Sequence, residues 1–139
     1  MKVAFDEHIP PQMYRLFQSL SGSPRVDHQI VAAKDYRPDG EIGDAGWVSR
    51  FASDGGQVVI SGDVRMRGRP HELKALQDCG LITVFFHRRW SQQNFFVKSA
   101  MLIKWWPQTD EHIRSIGPAS CWEIPFSWTG FELKDVTQK

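Results

Sequence analysis

Residues 2–11, KVAFDEHIPP, set the fold: an apolar run of strand length ends on an acid, and a helix signal follows at once. KVAF is too short for a helix, and the pair Asp6–Glu7 would be costly to bury, so the strand is expected to end at Asp6. Pro10 and Pro11 suit a first helical turn, where a missing N–H is no loss. Met13, Leu16, Phe17 and Leu20 then recur at i, i+3, i+4 and i+7 as one apolar stripe, which SGSP stops. The same grammar returns at residues 57–67, QVVISGDVRMR, where three β-branched residues mark a strand and Asp63 follows it. Pro70 can open the next helix, with Leu73 and Leu76 inward and Cys79–Gly80 closing it.

Between and after these two units the pattern continues. HQIVAA is a weaker strand, and KDYRPDGEIGD is polar and turn-rich. Asp44 is a good cap for a helix reaching about Ser53, with Val48, Phe51 and Ala52 on its apolar face. LITVFF reads as a strand, followed from about Gln92 by a long helical segment in which Phe96, Ala100 and Ile103 share a face and Pro107 is expected to break or kink the helix. CWEIPF reads as a late edge strand because Pro125 cannot donate to a central ladder, and the tail from Gly130 is expected to pair briefly or fray. Trp105 and Trp106 are adjacent and are expected not to share one core, so that one marks a homodimer or partner surface. Strand and helix by turns predict an α/β three-layer sandwich with a mostly parallel central sheet of about five strands, as a single domain over residues 1–139.

Composition narrows the function. At 139 residues the chain can bury a core without disulfide or metal staples, and Cys79 and Cys121 fit no metal-ligand spacing, so both are expected as buried free thiols. A net charge of +1 excludes a global field for nucleic acid, leaving only a local patch. Asp6, Glu7 and His8 interrupt any signal-peptide core, and LITVFF and AMLIKWW fall far below the roughly 18 apolar residues a membrane span needs. The expectation is a soluble cytoplasmic protein with no membrane partner.

Ligands of an open parallel sheet bind outside the carboxyl ends of its strands, where helix N-termini also point. Asp6 and Asp63 each follow a strand and Asp44 starts a helix, so all three are expected on that edge. Carboxylates about 4 Å apart repel by roughly 4 kcal/mol at an effective dielectric near 20, a conflict that a divalent cation removes. An all-oxygen donor set without clustered His or Cys favours Mg²⁺ or Mn²⁺, and a water acidified by such an ion could attack a phosphodiester. Taken singly, each aspartate also has a plain structural account as a turn or cap residue. Glu7 is a weaker ligand candidate because an extended strand would turn it away from Asp6. Arg65, Arg67 and Arg69, spaced by two, would form a guanidinium row for phosphates, with Arg88 and Arg89 emerging from the same edge; a solvated basic loop is the alternative. Trp90, His8 or His87 could stack on a base, or serve as core or rim packing.

FDEHIPPQMYRLFQSL together with GDAGWVSRFASDGGQVVISGD resembles the PIN-like superfamily of metal-dependent ribonucleases, and within it the VapC-like toxin branch. RPHELKAL and the late WEIPFSW can be laid on the same pattern, so the resemblance spans the chain. It implies that Asp6, Asp44 and Asp63 are the family's acids, that RNA is cleaved with Mg²⁺ or Mn²⁺, and that a protein antitoxin silences the toxin. One departure stands out: many members carry a further acid shortly after the third, whereas Val64, Arg65, Met66 and Arg67 follow Asp63 here, which puts a second metal ion in doubt. Glu7 or Glu72 could compensate, though Glu72 at a helix start is equally a dipole-stabilising residue. Two rivals share the acids: a catalytically inactive interaction module on this fold, and a phospho-acceptor receiver domain, which would need a lysine that CWEIPFSW lacks.

Overall fold

Alternation along the first strand divides the protein into two sides. In the computed structural model, which describes residues 1–37, 46–63 and 68–137, Val3 and Phe5 join one apolar cluster and Ala4 joins another. The strands are β1 (Lys2–Phe5), β2 (Gln29–Ala32), β3 (Val58–Ser61), β4 (Ile82–Phe86), β5 (Cys121–Ile124) and β6 (Lys134–Asp135). They form one sheet in the order β2-β1-β3-β4-β5-β6, parallel throughout except for the β5–β6 pair. β3 and β4 are buried at every position, as central strands covered on both faces must be.

Helices α1 (Pro11–Ser19) and α5 (Phe95–Ser115) cover one face: Met13, Phe17, Met101, Trp105 and Trp106 meet Val3, Phe5, Ile60 and Val84. Helices α2 (Gly46–Ser53) and α3 (Pro70–Asp78) cover the other, where Trp47, Phe51, Leu73 and Leu76 meet Ala4, Val59 and Phe85. A 3₁₀ turn (Ala33–Tyr36) precedes α2, and the short α4 (Arg88–Ser91) leads from β4 toward α5. This is the α/β three-layer sandwich, with six strands where about five were expected. The tail supplies the sixth, pairing Trp122 with Asp135 and Glu123 with Lys134, so that β5 is not the edge.

Helix α5 corrects two expectations and places a third. It runs unbroken past Pro107, because Pro107 and Ile103, whose carbonyl loses its donor, both lie on the exposed side where water can serve that oxygen. Phe96 and Ile103 do share a face, but it is the outer one, 79% and 50% exposed. Trp105 and Trp106 are both buried in the same cluster. Trp105 donates its indole N–H to the Ser127 carbonyl at 2.9 Å, while Trp106 packs against Phe17 and Phe5 with centroids 4.8 and 6.3 Å away. Two large rings one residue apart can flank a helix that is covered on both sides. Cys121 is buried, whereas Cys79, just past α3, is only half-buried. Among the described residues no helix is long and apolar enough to cross a membrane.

Candidate metal centre

The chain leaves β1 toward β2 on one side, while β3 pairs on the other, so the strand order reverses at β1 and β3. In open α/β sheets the crevice outside such a reversal is the ligand site. Asp6 and Asp63 both sit there. The Asp6 N–H donates to the Ile60 carbonyl at 3.1 Å, which carries the ladder one residue past β1 and aligns Asp6 with the end of β3. A turn closed by the Ile9 N–H on the Asp6 carbonyl, 3.1 Å, then swings Glu7 and His8 outward.

Both aspartates are buried, at 2% and 3% exposure, so a solvated turn residue describes neither. Asp6 Oδ1 accepts from the backbone N–H of His8 at 3.0 Å and of Gly62 at 3.2 Å, and Oδ2 accepts from the Ser61 hydroxyl. The Ser61 oxygen in turn accepts from the Asp63 N–H at 3.0 Å, so one buried side chain ties the two acids together. Burial pushes the Asp6 carboxyl above the usual aspartate range, and this outweighs the opposing pull of the Ser61 hydroxyl, the nearby His8 and the two backbone donors. Gly62 is needed because a Cβ there would lie 2.6 Å from the Trp90 ring and 3.0 Å from the His8 carbonyl.

Around this pair the structure interleaves acids and bases. The half-exposed imidazole of His8 reaches both, Nδ1 at 3.8 Å from Asp6 Oδ2 and Nε2 at 3.9 Å from Asp63 Oδ2. Arg69 Nη1 lies 2.8 Å from Asp63 Oδ2 and 3.3 Å from Glu72 Oε2. Arg37 Nη2 lies 3.9 Å from Glu72 Oε1, and its Nε lies 3.0 Å from Glu7 Oε1 as an ion pair without hydrogen-bond alignment. Burial works to lower the Arg69 pKa, but the Asp63 and Glu72 carboxylates prevail and raise it, so the guanidinium is a fixed positive charge. Among the described residues, Asp6, Glu7, Asp63 and Glu72 stand against Arg37, Arg69 and the imidazole of His8.

The expected site residues are therefore distributed as follows. Asp6 and Asp63 are brought together, and Glu7 reaches them only through the chain Arg37, Glu72 and Arg69. Asp44, Arg65 and Arg67 lie outside the described residues. Arg69 is exposed, and its guanidinium meets Asp63 and Glu72. Arg88 is exposed at the start of α4, just beyond β4 on the same edge. Trp90 is no base-stacking residue, being 1% exposed and stacked on Phe86 at 4.3 Å. Glu72, Arg37 and Ser61 are the participants that sequence reasoning ranked low or passed over. For Glu72 a signal was present: it lies in the first turn of α3, three residues after Arg69, and helix N-termini point at this edge.

Among the described residues no group of three or more His, Cys, Asp or Glu is placed to hold a metal ion. Mg²⁺ needs only one or two carboxylates, with waters and substrate phosphate completing its shell. Asp6 and Asp63, two buried carboxylates within reach of one imidazole, fit that demand. A family model described as PIN like domain matches residues 1–88, which include β1 to β4, both aspartates, Arg69 and Glu72. Comparison with curated proteins and with solved structures gives no match.

Proposed function

Since the chain belongs to the PIN-like domain family, we propose that it is a metal-dependent ribonuclease that hydrolyses RNA phosphodiester bonds, acting as the toxin of a toxin–antitoxin pair of the VapC-like kind. The observation that carries this reading is the meeting of two buried carboxylates, Asp6 and Asp63, at the point where the strand order reverses. In this reading Asp6 and Asp63 hold Mg²⁺ or Mn²⁺, and Asp44, the acid at the expected helix start, is the third candidate ligand. Such an ion would supply stabilisation of the negative charge on the phosphoryl and leaving-group oxygens during attack by water. The chain's own residues do the rest. Ser61 and the N–H groups of His8 and Gly62 hold the Asp6 carboxylate in one orientation. Arg88, together with Arg65 and Arg67 in the sequence after Asp63, would place the phosphate backbone, which positions RNA without reading its sequence. RNA, a protein antitoxin, a homodimer and a cytoplasmic location all belong to this proposal.

The test is Mg²⁺-dependent cleavage of RNA, lost in Asp6→Asn and Asp63→Asn proteins that retain the wild-type circular dichroism spectrum. One observation favours a second reading, an inactive interaction module: Arg69, Arg37 and His8 already partly neutralise the acids. Metal binding without RNA turnover would select it. The strand order β2-β1-β3-β4-β5 is also that of receiver domains. Stable acyl-phosphate labelling of Asp63 would select that rival.

A further inference from the structure

Arg69 stands on one of the two acids that a cation would need. Its Nη1 lies 2.8 Å from Asp63 Oδ2, the same oxygen that faces His8 across the pair of aspartates. A guanidinium and a divalent ion on the same carboxylate weaken each other's hold, because like charges about 4 Å apart repel in a partly buried site. Arg69 is also built to leave. Its side chain is 44% exposed, while Asp63 is 3% exposed, so the base, unlike the acid, has solvent beside it into which it can turn. Its backbone is the cap of α3 with Pro70 next, so the guanidinium can move by side-chain rotation while the helix start stays in place. Glu72, 3.3 Å from the same nitrogen and itself shared with Arg37, offers a carboxylate on which the guanidinium can remain after releasing Asp63.

We propose that Arg69 is an internal counter-ion of the acidic centre, holding Asp63 in the metal-free protein and giving way to Glu72 when a divalent cation binds. This inference rests on the reading of Asp6 and Asp63 as metal ligands, and adds a competition inside the protein that tunes their affinity. The metal-competent state is the one in which Arg69 has left Asp63, so the apparent dissociation constant exceeds the intrinsic one by the inverse of that state's population. An ion pair with one partner buried and the other half-exposed biases the closed state roughly tenfold.

The experiment is Mn²⁺ titration by calorimetry of the full chain, wild type against Arg69→Gln, Arg69→Lys and Arg88→Gln, with thermal melts in chelator. Arg69→Gln should bind Mn²⁺ roughly tenfold more tightly than wild type and melt lower in chelator, the deficit closing as Mn²⁺ saturates. Arg88→Gln removes the same charge from the same edge without touching the acids, and should change affinity less than about twofold. Arg69→Lys keeps the charge but loses the fork that reaches two carboxylates, and should gain affinity to a smaller extent. Unchanged affinity in Arg69→Gln, or an equal gain in Arg88→Gln, overturns the counter-ion while leaving the metal site standing. If Arg69→Gln does not fold, Arg69→Lys decides, and wild-type affinity in it overturns the proposal. Absence of Mn²⁺ binding in every protein, wild type included, removes the metal site itself and this inference with it.

Discussion

Replacing Ser61 with alanine removes a buried hydroxyl that hydrogen-bonds to both aspartates. The Ser61 hydroxyl donates to the buried Asp6 carboxylate and accepts from the Asp63 N–H at 3.0 Å, and Ser61 itself has no exposed surface. A hydrogen bond to a charged group contributes about 1.5–3 kcal/mol and a neutral one about 0.5–1.5 kcal/mol, so losing both costs about 2–4.5 kcal/mol. With an unfolding entropy of about 2.1 cal/mol/K per residue, a chain of 139 residues should then melt roughly 7–15 °C lower. The loss should also depend on pH. The charged carboxylate needs the donor most, whereas a protonated Asp6 carries its own proton and leaves the alanine less costly. Urea unfolding of wild type and Ser61→Ala in chelator, at about pH 4 and about pH 8, should show the larger difference at the higher pH. A difference below about 0.5 kcal/mol at both values would refute the argument that this serine organises the site.

Asp6→Asn should stabilise the metal-free protein at neutral pH. The folded-state pKa of Asp6 is raised, so the folded protein holds its proton more strongly, and stability falls as pH climbs from the ordinary value of 3.8 through the raised one. Asparagine removes that slope while keeping the acceptor for the His8 and Gly62 N–H groups, so its urea midpoint in chelator should exceed wild type at about pH 8; a lower midpoint contradicts the burial argument. Gly62→Ala places a methyl 2.6 Å from the Trp90 ring and should cost about 1–3 kcal/mol in urea unfolding, with weakened Mn²⁺ binding because the Asp6 donor moves; wild-type stability would show the turn to be looser than described. Pro107→Ala restores a backbone donor inside α5 and should raise stability by about 1–3 kcal/mol, whereas a loss would mean that the proline is needed for the path of the helix.

The first strand and its acid were legible because KVAF and VVIS are apolar runs too short for helices, each followed within two residues by an aspartate. The C-terminal part was harder. Pro107 reads as a stop only when its neighbours are buried, and the exposure of Ile103 four residues earlier depends on how α5 lies against the sheet, which no local pattern encodes. Trp105 and Trp106 both enter the core because the sheet and the segment at Ser127 flank the helix, a tertiary arrangement. In the site, Asp6 and Asp63 could be placed from strand ends alone. Glu72 and Arg37 could not, since their direct pair joins the start of α3 to the residue after the 3₁₀ turn, and Arg69 carries it on to Asp63. Arg69 shows what spacing does not encode: its exposed side chain also meets the buried carboxylate of Asp63, a contact made by the fold and not by the sequence around it.

The most direct measurement is anomalous diffraction from wild-type crystals soaked in Mn²⁺. A strong peak about 2 Å from carboxylate oxygens of both Asp6 and Asp63, missing from Asp6→Asn crystals soaked alike, is the predicted result. A peak at another place, or an empty crevice in which Arg69 still holds Asp63 at saturating Mn²⁺, would contradict the account.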